Sequence, residues 1–297
     1  MTNTTQNIEK LLNLACDAIK SEVCEKKMLG LEMMKIISLD LTDKKLIRKT
    51  LDVFLFYPEK IPASFIANLS EKVEDADLIQ KILDYLVSFK TKKDIRHIFI
   101  NLVHNIKEEK QIQQALDIIN NYFAKDYTIV QPVIALSKNV KTFDLIQKFI
   151  NIALNLPSFE GSTIMANLSL HVKEKSQVQQ IVDYACDTSC HYRLDIISDN
   201  LALNIKDFKL MQQVIDTFGK KETKIKSIKW CRILCLFGST LFKEGKKKKC
   251  LKTLEISINL IEDGLKIYDT NHFFVYGVRA AQVDLQEAKK LITNLRG

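Results

Sequence analysis

A phrase that opens with Asn-Leu and closes with Gln-Gln returns several times along the chain. NLVHNIKEEKQIQQALDIINNY begins at Asn101, and related phrases begin at Asn167 and Asn200. Three columns of residues share one set of spacings, 33, 34, 32 and 33 residues. The columns are Gln80, Gln113, Gln147, Gln179 and Gln212; Asn68, Asn101, Ala135, Asn167 and Asn200; and Val73, Ile106, Val140, Val172 and Ile205. Self-similarity with this period is the sequence signature of stacked helical hairpins.

Each repeat unit has the pattern of two amphipathic helices. In IRHIFINLVHNIK the apolar residues recur at threes and fours, and KQIQQALDIINNYF does the same. A short turn with a residue that favours helix starts separates the two: Asp43, Asp77, Asp144, Ser176 and Asp207 in successive units. Pro58 and Pro157 fall between units, where the loss of a backbone donor costs little.

These patterns predict an all-α protein. Nearly half the residues (46%) are hydrophobic, and only 8 Gly and 4 Pro are present, which disfavours a turn-rich β fold. Because one hairpin cannot bury its apolar stripe alone, we expect an α-solenoid of about seven stacked helical hairpins. We expect it to form a right-handed superhelix with a concave groove. Residues 1–297 would be a single domain, with capping helices in 1–40, regular repeats in 41–219 and a different, basic segment in 220–297.

The last segment has a second repeat pattern. GSTLFKEGKKKKCLKTLEIS carries Gly238, Leu241, Gly245, Cys250, Leu254 and Ser257 in order, and Ala288 follows in the next helix. Residues 228–293 thereby resemble the tetratricopeptide repeat, whose pattern is Gly, large, Gly, Ala, aromatic, Ala at these spacings. The preceding units are similar to it in length and two-helix form. The resemblance implies a scaffold or adaptor that binds peptides or partner domains and has no active site.

The asparagine column is a candidate peptide-binding site. Asn68, Asn101, Asn167 and Asn200 lie on the first helix of four units. A side-chain amide both donates and accepts, so a row of them suits the backbone of an extended peptide. The alternative is an internal ladder that ties neighbouring hairpins together, and we favour it on general grounds because buried amides are normally hydrogen-bonded.

Positive charge is concentrated near the end of the chain. The net charge is +8, but residues 220–252 hold twelve basic and two acidic residues, so the remainder is slightly negative. The candidate anion-binding patch comprises Lys220, Lys221, Lys224, Lys226, Lys246, Lys247, Lys248 and Lys249. Such a patch would dock nucleic acid, acidic lipid or an acidic protein. The alternative is a solvated lysine-rich turn, and we place the run 246–249 in a turn.

Catalytic and metal-binding motifs are not recognised in the sequence. GSTLFKEGKK has six residues between its glycines and no hydroxyl after the lysine, so it fails as a phosphate-binding loop. Cys186, Cys190 and His191, together with Cys231 and Cys235, contain donors for zinc, but their spacing favours packed, reduced thiols. We therefore predict no enzyme, no cofactor and no metal site.

The first thirty residues lack a basic start followed by an apolar block, and no apolar run is as long as a membrane span. We expect a cytoplasmic protein without a transmembrane segment, and leave non-classical export open. The function predicted from these patterns is a scaffold that holds a peptide or partner protein in its groove. The alternative is an anion-binding repeat protein that acts through Lys220–Lys252. The sequence does not identify the partner or the oligomeric state.

Overall fold

The computed structural model describes residues 3–56, 62–88, 92–123, 129–186, 194–205, 210, 214–215, 228–269 and 278–296. Every regular element within these ranges is a helix, which confirms the all-α prediction. The helices are α1 (Asn3–Lys20), α2 (Cys24–Asp40), α3 (Lys44–Phe56), α4 (Ala63–Ser70), α5 (Ala76–Ser88), α6 (Lys92–Leu102), α7 (Glu109–Phe123), α8 (Val130–Ser137), α9 (Phe143–Leu154), α10 (Ser158–Leu168), α11 (Lys175–Cys186), α12 (Leu194–Asn204), α13 (Ile228–Lys248), α14 (Leu251–Asp269) and α15 (Val278–Arg296). A 3₁₀ turn, Val103–Asn105, follows α6.

The chain divides into two compact units, Met1–Val140 and Lys141–Gly297. The first unit contains α1–α8 and the second contains α9–α15. The boundary lies in the connection between α8 and α9, inside one of the predicted hairpins. The organisation of residues 1–297 as one continuous domain stays a prediction.

Helices of the first unit contact the helix two positions further along the chain. On one side α2 contacts α4, and α4 contacts α6; on the other, α1 contacts α3, α3 contacts α5, and α5 contacts α7. We call the even-numbered set the A layer and the odd-numbered set the B layer. Large side chains fill the space between the layers and are fully buried, among them Phe54, Ile66, Ile82 and Phe99. Each helix packs its apolar stripe against several neighbours, because no helix could bury that stripe alone.

The second unit begins in the same way and ends differently. Helix α10 contacts α12 in its A layer, and α9 contacts α11 in its B layer. The last three helices, α13, α14 and α15, all contact one another. One of their shared clusters contains Cys231, Cys235, Ile261 and Ala281, and another contains Leu254 and Ala288.

The predicted helix start at Asp43 is confirmed. Its Oδ1 accepts hydrogen bonds from the backbone N–H groups of Lys45 at 2.9 Å and Leu46 at 3.1 Å. Two amides at the start of α3, which have no carbonyl partner within the helix, are thereby satisfied.

Other predicted helix starts lie one or two residues too late. Helix α5 begins at Ala76, and the capping carboxylate is Asp75, which accepts from the Leu78 N–H at 3.0 Å. Asp77, Asp144 and Ser176 lie inside the first turns of their helices. A carboxylate in the first turn also interacts favourably with the helix dipole. The sequence therefore does not show whether an acidic residue is the cap or lies within the first turn. Asp207 and Pro58 lie outside the described residues, and Pro157 directly precedes α10, as expected.

Candidate functional site

The asparagine column of the first unit is hydrogen-bonded between helices of the A layer. Asn68 Nδ2 on α4 donates to Ser38 Oγ on α2 at 3.3 Å. Asn101 Nδ2 on α6 donates to the backbone carbonyl of Ala67 on α4 at 2.8 Å. Each amide therefore ties its helix to the preceding helix of the same layer.

The second unit repeats the arrangement. Asn200 Nδ2 on α12 donates to the Ala166 carbonyl at 2.8 Å and to Ser169 Oγ at 3.1 Å. Asn167 on α10 is half-buried. The internal bonds of Asn68, Asn101 and Asn200 form the ladder that the sequence offered as the alternative to a peptide groove. Contact of the column with a peptide stays a prediction.

A second ladder, which we did not identify in the sequence, runs one helical turn further along the A layer. Asn105 Nδ2 donates to the Glu71 carbonyl at 2.8 Å, and Asn139 Nδ2 donates to the Ile106 carbonyl at 2.9 Å. Asn204 donates to the Val172 carbonyl, and Lys72 Nζ takes the same position with the Leu39 and Leu41 carbonyls, at 2.8 and 3.0 Å.

The acceptors of this second ladder lie at or just beyond the ends of the preceding A-layer helices. The last carbonyls of a helix have no partner within it, so the next repeat supplies their donors. The sequence signal was present, because Asn105, Asn139 and Asn204 each directly precede the Ile/Val column.

The glutamine column forms polar contacts along the B layer. Gln80 Nε2 on α5 donates to Asp84 Oδ1 at 2.8 Å and to Gln114 Oε1 on α7 at 2.6 Å. Gln147 on α9 makes the corresponding bond to Gln180 Oε1 on α11 at 2.8 Å. The Gln-Gln phrase thus forms surface contacts between consecutive helical hairpins. The hydrogen bonds of these glutamines are made within the molecule.

Exposed apolar side chains mark the A layer of the second unit. Leu170, just after α10, is 48% exposed, and Leu203 on α12 is 68% exposed. They are 33 residues apart and each follows a column asparagine by three residues. Phe159 on α10 and Ile196 on α12 are also exposed. Large apolar groups on two adjacent helices, beside a polar ladder, form a surface suited to protein contact.

The lysine run was predicted to lie in a turn, and this is wrong for three of its four members. Helix α13 continues to Lys248, so Lys246, Lys247 and Lys248 occupy its last turn, where cations interact favourably with the helix dipole. Lys249 alone lies in the turn. Lys220, Lys221, Lys224 and Lys226 lie outside the described residues.

Two of these lysines are engaged within the second unit. Lys246 Nζ lies 2.9 Å from Glu287 Oε2 on α15 and 5.4 Å from the centre of the Phe242 ring. Lys248 Nζ lies 3.4 Å from Glu244 Oε2 on its own helix. Lys247 and Lys249 are exposed. The charge presented to a polyanion is therefore smaller than the sequence suggests, and the patch stays a prediction.

The helices of the tetratricopeptide-like segment approach closely where the pattern has small residues. A Cβ atom on Gly238 would lie 2.5 Å from Ile261 Cγ1 and 3.1 Å from the Ser257 carbonyl oxygen on α14. A Cβ on Gly245 would lie 3.0 Å from Leu254 side-chain atoms. Ser257 is fully buried. The glycines therefore set the separation of α13 and α14, although membership of the repeat family stays a prediction.

The cysteines of α13 face the core. Cys231 and Cys235 are buried among Ile261, Ala281 and Leu285. A hydrogen bond with Cys231, together with burial, raises the pKa of the Cys235 thiol. Cys250 precedes α14, where hydrogen bonds from Thr253 lower its pKa. Within the described ranges, no group of three or more His, Cys, Asp or Glu side chains is placed to hold a metal ion. Cys190 and His191 lie outside those ranges.

A basic cleft on α3 also escaped the sequence analysis. Its volume is about 520 Å³, and Lys20, Lys45, Arg48, Lys49 and Phe56 contribute to its lining. Three of these cations have carboxylate partners nearby: Arg48 and Asp75 are 2.5 Å apart, Lys49 and Glu9 are 3.1 Å apart, and Lys20 and Asp17 are 3.9 Å apart. The cleft is an ion-paired surface, so most of its charge is neutralised.

Among the helices of the described ranges, none combines the length and apolar character needed to cross a membrane.

No protein-family model matches the chain, and no curated protein matches it either. Two solved structures are similar over most of their length, and both are designed proteins. One comes from a study of self-assembling cyclic homo-oligomers: it shares 14% identity, and the match covers 98% of this chain and 94% of that one, with a TM-score of 0.13. The other is a designed 16-helix transmembrane nanopore with 12% identity, 98% and 97% coverage and a TM-score of 0.14. At these scores the similarity carries no argument about fold or function.

Proposed function

We propose that this protein is a non-enzymatic α-solenoid scaffold that binds a peptide or partner protein on the exposed surface of its A layer. One observation carries the proposal: hydrogen bonds join residues about one repeat apart, such as Asn101 to Ala67, 34 residues, and Asn139 to Ile106, 33 residues. Repeated helices that bond to their neighbours in this way produce long surfaces used for binding.

The A layer of the second unit supports the choice of surface. Leu170 and Leu203 offer apolar contacts at one-repeat spacing, which suits a partner whose apolar side chains recur along its length. Asn200 precedes Leu203 by three residues on α12 and donates to the Ala166 carbonyl on α10. Its side-chain oxygen is the group that would accept a hydrogen bond from a partner's backbone N–H. Apolar anchors beside a polar acceptor are typical of peptide recognition.

The test compares immobilised wild-type protein with the double variant Leu170→Asn/Leu203→Asn in a pull-down followed by mass spectrometry. We expect specific proteins retained by the wild type to be lost from the variant, and to survive a rise in salt concentration, because apolar contacts are not screened. Leu154→Asn is the matched control, since Leu154 is 51% exposed on the B-layer helix α9. Equal recovery by all three proteins would contradict the proposal.

A second variant separates binding from folding. Asn101→Ala removes an inter-helix hydrogen bond, so it should lower the free energy of unfolding by about 1–2 kcal/mol. Asn120, exposed on α7, is the control, and its replacement by Ala should change stability by less than about 0.5 kcal/mol. If Asn101→Ala loses partner binding without losing stability, the asparagine column contacts the partner and does not serve mainly to join the helices.

A further inference from the structure

Helix α2 has an exposed isoleucine in the register where α4, α6, α10 and α12 of the A layer carry asparagine. Ile36 precedes Asn68 by 32 residues, and the next positions agree: Ile37 and Ser38 are buried, as are Leu69 and Ser70. Asn68, Asn101 and Asn200 use this position to bond the preceding A-layer helix. Ile36 is 62% exposed. It therefore lies on the side of α2 that faces away from α4.

The exposed position belongs to an apolar stripe along α2. Leu29, Met33 and Ile36 follow at the spacing of one helix face, and Leu29 is 62% exposed. Met33 is half-buried, whereas its equivalents Phe65 and Ile98 are buried. The equivalents of Met33 on α4 and α6 are therefore covered, whereas α2 exposes this face.

A matching stripe runs along α1. Leu11 and Leu14 are 45% and 61% exposed, and Ala18 continues the same face. A Cβ atom on Gly30, the residue after Leu29, would lie 2.9 Å from Ala18 Cβ. The two helices therefore pack against each other beside these stripes. We call the exposed apolar side chains of the two helices together the α1–α2 edge.

The charges around the edge indicate what covers it. Residues 3–40 carry five lysines and six acidic residues, while the whole chain is at +8. Helices that carry nearly equal numbers of both signs have little net charge to repel a second copy, so two copies approach through them without the repulsion that the rest of the surface would impose. It has no positive excess to attract nucleic acid or an acidic membrane. Two helices of 18 and 17 residues present a face on the order of the ~800 Å² that each partner buries in a stable dimer.

We propose that the α1–α2 edge is a self-association site, at which two copies of this chain stack edge to edge about a two-fold axis. Each copy supplies the helix pair that the other lacks, in the way that consecutive repeats cover one another. Because the same patch serves both partners, the assembly closes as a dimer. This inference does not depend on the proposed partner binding, which uses the other unit.

Sedimentation velocity on the full chain, from about 1 to about 100 µM, tests the proposal. We expect the wild type to shift with concentration from the monomer mass of 34.2 kDa to twice that mass. Ile36→Asn, which installs the residue that four of the other repeats carry, should weaken association at least about tenfold while leaving the helical circular dichroism signal unchanged. Leu29→Lys is a second variant with the same expected result.

Leu203→Asn is the matched control, because Leu203 is 68% exposed in the second unit, and it should associate as the wild type does. A wild type that is monomeric at all concentrations would overturn the proposal and leave the edge to a different protein. Association that persists in both edge variants, or that grows beyond a dimer, would overturn it too. Retained partner binding by Ile36→Asn separates this site from the proposed scaffold function.

Discussion

At the scale of single residues, Lys249 shows how the chain leaves one helix and enters the next. Its φ of 49° is the left-handed conformation, which costs a residue with a side chain about 1–2 kcal/mol. The Cys250 N–H donates to the Gly245 carbonyl at 3.0 Å, and the Lys249 N–H donates to the Lys246 carbonyl at 3.4 Å. This pair of bonds closes the C-terminal end of α13, in a motif that usually has glycine at the left-handed position.

Lys249→Gly should therefore stabilise the protein. The relief of backbone strain exceeds the entropy that glycine loses on folding, about 0.5–1 kcal/mol, so the expected net gain is up to about 1 kcal/mol. Denaturant unfolding followed by circular dichroism measures it. The control is Lys247→Gly, inside the last turn of α13, which should destabilise by about 1 kcal/mol. Changes of the same sign in both variants would contradict the assignment.

Asp75 links a helix cap to the pH dependence of stability. The Leu78 backbone N–H, and then Arg48, hold the pKa of its carboxyl below the ordinary value of 3.8. A lowered pKa in the folded state means that the charged form stabilises the fold above the unfolded value, and that this contribution is lost as the pH falls through 3.8 towards the folded value. The effect of Asp75 should therefore be constant near neutral pH and vanish in acid.

Asp75→Asn tests this dependence. Asparagine keeps a capping oxygen but cannot ionise, so the variant should melt at a lower temperature than the wild type near neutral pH. The difference in Tm should shrink as the pH is lowered below 3.8. Thermal melts across the acid range measure it, and a difference that is independent of pH would show that the charge of Asp75 does not matter.

At the scale of elements, α13 and α14 pack more closely than ordinary side chains permit. Gly238 meets Ile261 and the Ser257 carbonyl, and Gly245 meets Leu254. Small residues at both contacts let the backbones approach, and Ala288 on α15 belongs to the same cluster as Leu254. An exposed ion pair also joins α14 and α15, since Lys289 Nζ lies 2.7 Å from Glu262 Oε1.

Gly238→Ala should destabilise this group of helices. The added methyl would lie 2.5 Å from Ile261 Cγ1, so the Ile261 side chain or the helices must shift, and overpacking of this kind costs about 1–3 kcal/mol. Alanine has a higher helix propensity than glycine, which by itself would stabilise α13. A net loss of stability would therefore show that the close contact outweighs the gain in helix propensity. Ser239→Ala, one residue along α13, is the control and should change stability by less than about 0.5 kcal/mol. A Gly238→Ala protein at least as stable as the wild type would contradict the close approach.

At the scale of the whole molecule, folding pairs part of the positive charge with acidic side chains. The sequence concentrates positive charge in residues 220–252, but Lys246 and Lys248 have acidic neighbours at 2.9 and 3.4 Å. Exposed ion pairs contribute little to stability. They do lower the number of lysines that are ready to release counterions from a nucleic acid.

Replacing Lys246, Lys247, Lys248 and Lys249 by Gln should change the slope of log affinity against log salt by about two units. Two of the four lysines are paired, and each phosphate contact contributes about 0.9 to the slope on duplex DNA. Fluorescence anisotropy with a labelled duplex over a series of salt concentrations measures it. We expect weak binding by the wild type at physiological salt.

The control carries four exposed lysines changed to Gln elsewhere: Lys107, Lys138, Lys141 and Lys173. It has the same net charge as the test variant, so an equal loss of slope would show that binding follows total charge and not the lysine run. Tight, salt-resistant binding by the wild type would favour nucleic acid over a peptide partner.

The sequence alone determined that this chain is helical and where most of its helices lie. Apolar residues at threes and fours specify a helix through contacts between near neighbours, and the same pattern recurs in every unit. The start of α3 at Asp43 was predictable for the same reason, because a capping bond spans three residues. The repeat period also indicated that Asn101 and Asn200 occupy equivalent positions.

Only the tertiary structure decided what those positions do. Whether Asn101 faces a peptide or the Ala67 carbonyl depends on which helix packs beside α6, and no local rule states that. The ion pairs Lys246–Glu287, Arg48–Asp75 and Lys49–Glu9 join residues that are distant in the sequence. Ile36 fits the asparagine register but is exposed, because exposure is set by the presence or absence of a neighbouring helix. Local patterns fix backbone conformation, whereas the role of a surface residue is set by the partners that folding brings to it.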